Sequence, residues 1–216
     1  MDKLIINING VVYELYQDDY TASIIESTSC EGNIFIPKSV EYDDEEYIIK
    51  RIDQGSFKNN NLIKSIEFSE DSELISIGTD SFKDSSIETI FFPPNLEELE
   101  EGWCNNTQKL TNIIISPTNP FFTNFDSKMI LKKSDPENDF FDVLIFVPRN
   151  VIELEIPSFI KYIDSYAMNR CRKLTSITFE PFSELISIHM SAFSESSIKS
   201  ITIPSKVISI SDFAFH

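Results

Sequence analysis

Apolar residues recur along the chain in a short unit that is present several times in each half. Each unit starts with a triplet whose first and third residues are apolar, continues with two apolar residues three positions apart, and closes with a pair such as Ser-Phe or Ala-Phe. The closing pairs are spaced by 25 and 22 residues within each half, and they end at Phe57, Phe82, Cys104, Met168, Phe193 and Phe215. A period of this size predicts a repeat solenoid, in which function lies on a surface and not in a catalytic cleft.

The two halves of the chain are also copies of one another. When residue n is aligned with residue n + 111, apolar positions of the repeat coincide without gaps, as in the pairs Ile36/Val147, Ile66/Ile177, Phe82/Phe193 and Ile90/Ile201. We therefore predict one solenoid over residues 1–216, with an N-terminal hairpin and coils at 1–110 and an inserted hairpin coil with further coils at 111–216.

Positions that are filled differently in the two halves show what each position accepts. Gly55, Gly78 and Gly102 align with Tyr166, His189 and Phe213. Because bulky side chains disfavour a left-handed backbone, the duplication predicts that none of these glycines is needed for a positive φ.

The triplets predict strands of a parallel sheet. Successive side chains of a strand point to opposite faces, so the first and third residues of each triplet face the core and the middle residue faces outward. Pro93 and Pro204 follow two of the triplets and end the strand, because proline has no backbone donor. Since one coil cannot bury its apolar face alone, we predict stacked coils, each with a strand, a return segment and a short helical or irregular turn.

The segments from Leu174 to Phe193 and from Ile198 to Phe215 resemble the leucine-rich repeats of the BspA-like family, whose units carry Ile-Pro and Ala-Phe pairs. The resemblance implies a β-rich, right-handed leucine-rich repeat superhelix with a parallel β-sheet on its concave face and short helical or irregular turns opposite. It also implies inserted β-hairpins, which we expect at about residues 10–26 and 118–148.

The outward residues of the triplets form the candidate protein-binding face. A row of exposed apolar residues marks an interaction site, and the concave sheet is the usual binding face of a repeat protein. The alternative is that the hairpins cover Phe35 and Phe146, while Phe91 and Ile114 reflect only strand propensity. The predicted face consists of Phe35, Glu67, Phe91, Ile114, Phe146, Thr178 and Thr202, with Glu155 as a candidate beside Phe146.

Charge narrows the range of partners. The 216 residues include 18 Lys and Arg against 35 Asp and Glu, a formal net charge of −17. This excess of acidic residues argues against nucleic acids and anionic membranes as partners, because both bind clusters of Lys and Arg side chains. The acidic clusters at 41–46, 97–101 and 135–142 are interpreted as solvated loops. The apolar runs are too short to span a membrane, and the N-terminus does not resemble a signal peptide.

No residue pattern indicates catalysis or a cofactor. Three cysteines form neither a disulfide framework nor a zinc pattern. His189 is interpreted as a surface histidine without recurring partners, and phosphate-binding loops, nucleophile elbows and metal-ligand clusters are absent from the sequence. We expect no enzymatic activity, no metal and no cofactor.

The sequence favours a non-catalytic protein-binding module. The BspA-like resemblance implies adhesion at a cell surface, with extracellular-matrix or host-cell proteins as partners. The lack of a signal peptide and the unpaired cysteines favour an intracellular interaction scaffold instead, and an enzyme with a site in the inserted hairpin is a third alternative. Because the last repeat lacks a polar capping segment, we expect either that the chain continues beyond His216 or that this end associates with another copy.

Overall fold

The computed structural model describes residues 3–216, which form strands joined by turns and contain no helix. They fall into two compact units, Met1–Pro120 and Phe121–His216. The strands of the first unit are β1 (Leu4–Ile8), β2 (Val11–Tyr16), β3 (Thr21–Ile25), β4 (Gly32–Ile36), β5 (Ser39–Tyr42), β6 (Glu45–Ile52), β7 (Ile63–Phe68), β8 (Ser76–Ile77), β9 (Thr89–Phe92), β10 (Glu98–Leu99) and β11 (Asn112–Ile115). The strands of the second unit are β12 (Phe122–Phe125), β13 (Met129–Lys132), β14 (Val143–Phe146), β15 (Glu153–Ile156), β16 (Tyr162–Ile163), β17 (Ser176–Phe179), β18 (Ser187–Ile188) and β19 (Ser209–Ile210).

The first unit contains two sheets whose strands alternate along the chain. One sheet has the order β1-β2-β3-β6-β8-β10, with β5 paired to β6, and the other has the order β11-β9-β7-β4. The pairs β4–β7, β7–β9 and β9–β11 are all parallel. The predicted return segments prove to be short strands, because Ser76–Ile77 and Glu98–Leu99 pair in parallel in the first of these sheets. Each coil therefore contributes a strand to both sheets.

The closing Ser-Phe pairs form a third, irregular side of each coil. The backbone N–H of Phe57 donates to Ser81 O at 2.8 Å, and that of Phe82 donates to Trp103 O at 2.8 Å. The rings of Phe57 and Phe82 stack with their centroids 5.2 Å apart and their planes within 2°. Both rings are completely buried, so successive coils are held together by backbone hydrogen bonds and by a column of aromatic side chains.

The second unit repeats this plan. Its sheets have the orders β12-β13-β14-β16-β18-β19 and β15-β17. The N–H of Met168 donates to Ala192 O, and that of Phe193 donates to Ala214 O, each at 2.8 Å. The antiparallel pairs β2–β3 and β12–β13 form the two predicted hairpins. The predicted fold class, a β-rich leucine-rich repeat solenoid with parallel sheets and inserted hairpins, is confirmed.

The prediction about the glycines is wrong at Gly55 and Gly102 but holds at Gly78, whose φ is not positive. The backbone φ is positive at Gly55 (68°), Gly102 (68°), Tyr166 (61°) and Phe213 (56°). The left-handed backbone belongs to the turn itself, because it directs the N–H of Gly55 to Thr79 O at 3.0 Å and that of Tyr166 to Met190 O at 3.1 Å. In the second unit, aromatic residues therefore occupy a left-handed backbone conformation that glycine adopts at a lower cost in free energy.

Cys30, Cys104 and Cys171 are buried and are thiols, not disulfides. Across residues 3–216, we find no helix long and apolar enough to cross a membrane.

Candidate protein-interaction surface

Four of the predicted face residues lie side by side on the parallel sheet of the first unit. The pairing of β4 with β7 places Phe35 opposite Glu67, and the pairing of β9 with β11 places Phe91 opposite Ile114. The pairing of β7 with β9 joins these two pairs into one row across the sheet. The row is called the outer row below.

The outer row faces solvent because its neighbours along each strand face the core. Ile36, Ile66 and Phe92 are buried in the interior of the unit. By contrast, Phe35 is 63% exposed and Ile114 is 46% exposed. Phe91 is half-buried and Glu67 is exposed. The alternative in which the N-terminal hairpin covers Phe35 is therefore wrong.

A second, polar row lies beside the outer row, two residues earlier on each strand. Asn33 pairs with Ser65, Ser65 with Thr89, and Thr89 with Asn112. The hydroxyl of Ser65 donates to Asn33 Oδ1 at 3.0 Å. Sequence analysis missed this row, although the same two-residue period places it on the outer face. A row of three apolar residues and one carboxylate, bordered by amides and hydroxyls, has the mixed composition of a protein interface.

Phe146 does not belong to this face, and its predicted exposure is wrong. It lies in β14, where it pairs with Ile130 of the inserted hairpin, and it is completely buried. The guanidinium of Arg149 lies 4.6 Å from the centre of its ring. Phe146 is therefore covered, because β14 belongs to the sheet of β16 and β18 and not to the sheet of β15 and β17. The sequence signal is the unbroken apolar run of Val143–Phe146, which is typical of a strand buried on both faces.

The other two predicted residues differ in their setting. Thr178 is exposed on β17 and stands opposite Glu155 of β15, so Glu155 takes the place that was predicted for Phe146. Thr202 is exposed but lies outside the strands, and the predicted strand at Ile201–Ile203 does not form. The second unit thus presents a short and largely polar counterpart of the outer row.

His189 has partners, so its interpretation as an isolated surface histidine is wrong. Its Nδ1 lies 3.3 Å from Asp164 Oδ1, and its Nε2 lies 2.9 Å from Ser187 Oγ. These contacts have the connectivity of a Ser-His-Asp triad. Sequence analysis missed them because Asp164 lies one coil earlier, next to His189 in the stacked sheet.

The surroundings of His189 do not support acyl transfer. The backbone N–H groups of Ser187 and His189 donate to carbonyl oxygens of the preceding coil at 3.3 and 2.9 Å, so neither is available to stabilise an oxyanion. Lys132 Nζ lies 2.6 Å from Asp164 Oδ2. Burial raises the pKa of Asp164, but the charge of Lys132 and the hydrogen bonds to the carboxylate lower that pKa by more. The arrangement is best described as a charged surface network.

The acidic clusters do not form a cation site. Asp43 and Asp44 occupy the tight turn between β5 and β6, where both have positive φ. Among residues 3–216, no group of three or more His, Cys, Asp or Glu side chains is arranged to hold a metal ion.

Comparison with solved structures finds similar folds at low sequence identity. A leucine rich cell surface protein from Faecalibacterium prausnitzii is 15% identical, with 100% of this chain and 86% of that chain covered and a TM-score of 0.49. The pneumococcal vaccine antigen PcpA is 16% identical, with 95% and 71% covered and a TM-score of 0.46. A leucine-rich repeat protein from Bacteroides ovatus is 14% identical, with 95% and 61% covered and a TM-score of 0.48. A search of curated proteins finds no match.

A family model gives the assignment. The model described as BspA type Leucine rich repeat region matches six copies of its repeat over residues 28–132 and 144–216. Leucine-rich repeats are in general non-catalytic protein-interaction folds. The resemblance that the Ile-Pro and Ala-Phe pairs indicated is confirmed, and this chain belongs to the BspA-type leucine-rich repeat family.

Proposed function

We propose that this chain is a non-catalytic protein-binding module whose contact surface is the outer row with its polar border. The observation that carries the proposal is that Phe35, Phe91 and Ile114 lie in one row of a parallel sheet and remain accessible to solvent. Large apolar side chains on a rigid sheet can be buried by a partner at little cost in conformational entropy. The neighbouring amides and hydroxyls offer hydrogen bonds at the border of such a contact.

We further propose that the module acts in adhesion at a cell surface and binds extracellular-matrix or host-cell proteins. Membership of the BspA-type family supports this choice. An intracellular interaction scaffold is the second candidate, and it is favoured by the three buried cysteines, which are thiols and not disulfides. Labelling intact cells with a reagent that does not cross membranes decides between them, since only a surface protein is labelled before lysis.

The binding surface is tested with the double variant Phe91→Ser/Ile114→Ser. The purified chain and the variant are applied to a panel of immobilised matrix proteins, including fibronectin, laminin and collagen. We expect the variant to lose binding to whichever protein retains the wild type, while its melting temperature shows that it is folded. The control is Ile152→Ser/Phe182→Ser, which changes two exposed residues of the second unit (59% and 94% exposed). Equal binding by wild type and Phe91→Ser/Ile114→Ser would contradict the proposal.

We also propose self-association through the coil at 198–216. Among the described residues, β19 pairs along one edge only, with β18. Its surroundings expose four large apolar side chains, namely Ile208 (83%), Ile210 (47%), Phe213 (62%) and Phe215 (46%). An open strand edge beside apolar side chains favours pairing with a second copy. Light scattering should give a dimer mass for the wild type and a monomer mass for Ile208→Ser/Phe213→Ser, whereas a monomeric wild type would contradict this.

A further inference from the structure

A cleft lined by phenylalanines lies in the second unit, whereas the outer row belongs to the first unit. Its volume is about 510 Å³, and its aromatic walls are Phe125, Phe140, Phe141 and Phe159. Phe125 and Phe159 meet edge to face, with ring centroids 5.5 Å apart. The side chains of Phe125, Phe140 and Phe159 are 37%, 74% and 41% exposed, so their rings are accessible from solvent.

The cleft is held in place by the carboxylate of Asp142. Asp142 accepts hydrogen bonds from the backbone N–H and the hydroxyl of Ser134, both at 2.9 Å, and Lys161 Nζ lies 3.1 Å away. Although burial raises the pKa of Asp142, these hydrogen bonds and the charge of Lys161 lower that pKa by more. Phe140 and Phe141, which directly precede Asp142, are thereby anchored at the mouth of the cleft.

The charge of the cleft is negative. Its ionisable lining residues are Asp139, Asp142, Lys161 and Glu184. The ammonium of Lys161 is paired with Asp142. Asp139 and Glu184 form no ion pair with any residue between 3 and 216. The pKa of Lys161 is raised by its hydrogen bond to Asp142 first, and the charge of Glu184 also raises it. The lining still holds three carboxylates against one ammonium, beside exposed aromatic rings.

This combination matches one class of ligand. Aromatic faces attract cations through the ring quadrupole, and a carboxylate binds a guanidinium through paired hydrogen bonds. An arginine side chain uses both features at once, because its planar guanidinium stacks on rings and presents a fork of donors. The net charge of −17 also attracts a basic partner from a distance.

We propose that the phenylalanine cleft binds an arginine side chain presented by a basic segment of a partner protein. The guanidinium lies against Phe140 and Phe159 and pairs with Glu184 or Asp139, while its alkyl stem covers the apolar wall. This site is independent of the outer row, so either proposal can fail without the other.

The test is a titration of the ¹⁵N-labelled full chain with the peptide acetyl-Gly-Arg-Leu-Arg-Gly-amide, followed by NMR chemical shifts. We expect saturable shifts at residues that line the cleft and none along β4, β7, β9 and β11. A peptide with citrulline in place of arginine keeps the shape but loses the charge, and it should bind at least about tenfold more weakly.

Variants of the cleft residues complete the test. Glu184→Gln and Phe140→Leu should each weaken binding of the arginine peptide severalfold. Because Phe140 is highly exposed, Phe140→Leu should remain folded, so weaker binding by this variant would not be due to unfolding. Glu153→Gln, an exposed glutamate outside the cleft, is the matched control and should bind like the wild type. Equal binding of the citrulline peptide, unchanged affinity in both cleft variants, or shifts confined to other surfaces would each overturn the proposal.

Discussion

The side-chain amide of Asn60 donates a hydrogen bond to the carbonyl oxygen of Cys30 at 2.9 Å, which links two successive coils of the first unit. The same amide group accepts hydrogen bonds from the backbone N–H groups of Leu62 and Ile63 at 2.9 and 3.0 Å. Asn60 is completely buried. It therefore satisfies backbone groups that water cannot reach and that the parallel sheets do not pair.

We expect Asn60→Ala to lower the free energy of unfolding by about 3 kcal/mol, because it leaves several buried backbone groups without partners. Urea denaturation of the two proteins measures the difference. The adjacent Asn61 is exposed, so Asn61→Ala should change stability by less than about 0.5 kcal/mol. Similar losses in both variants would show that the buried amide has no special role.

The stack of Phe57 on Phe82 predicts a second stability effect. We expect Phe82→Ala to cost about 3–5 kcal/mol, since it opens a cavity at a site with no solvent exposure. Phe182 is 94% exposed, and Phe182→Ala should leave the denaturation midpoint nearly unchanged. If Phe82→Ala were as stable as the wild type, the aromatic column would not hold the coils together.

Tyr13 predicts a loss of stability at high pH. Burial raises the pKa of Tyr13 to about 12, above its ordinary value near 10. As the pH rises, the Tyr13 phenol ionises in the unfolded chain before it ionises in the folded chain. The stability that comes from burying the neutral phenol is therefore complete below about pH 10 and is lost as the pH rises towards 12. Between about pH 9 and pH 12, the wild type should lose about 2–3 kcal/mol more than Tyr13→Phe. Urea titrations at each pH measure the free energy of unfolding of both proteins. If this free energy fell equally with pH in the wild type and in Tyr13→Phe, the prediction would be wrong.

The network around His189 predicts an absence of hydrolytic turnover. We expect the wild type and Ser187→Ala to release p-nitrophenol from p-nitrophenyl acetate at the same rate, because the nearby backbone donors are already engaged. A burst of product in the wild type, stoichiometric with protein and absent from Ser187→Ala, would identify Ser187 as a nucleophile and contradict the non-catalytic proposal.

The repeat could be predicted from the sequence because each coil carries the same local signals. The alternation around Phe35 and Ile114 places apolar neighbours in the core, and the structure confirms this pattern. Phe146 could not be placed in the same way. Its alignment with Phe35 at the 111-residue offset is wrong in the structure. β14 pairs with β16 as β3 pairs with β6, whereas the counterpart of β4 is β15, which pairs with β17 as β4 pairs with β7. The offset shifts at the inserted hairpin, and a gapless alignment does not show such a shift.

Two further features depend on contacts between coils. The positive φ at Tyr166 follows from a hydrogen bond to the next coil and overrides the preference of the side chain. The contact of His189 with Asp164 likewise joins residues 25 positions apart. Residues one repeat period apart are neighbours in a stacked sheet. Polar residues at that spacing are therefore the sequence signal for contacts such as that of His189 with Asp164.

We propose that a partner protein covers the outer row, and hydroxyl-radical footprinting with mass spectrometry detects such a contact residue by residue. The chain is oxidised alone and in complex with a matrix or host-cell protein that it binds. We expect Phe35, Phe91 and Ile114 to become protected in the complex, while the exposed Ile152 and Phe182 keep their reactivity. Protection of Ile152 and Phe182 with unchanged oxidation of Phe35, Phe91 and Ile114 would contradict it.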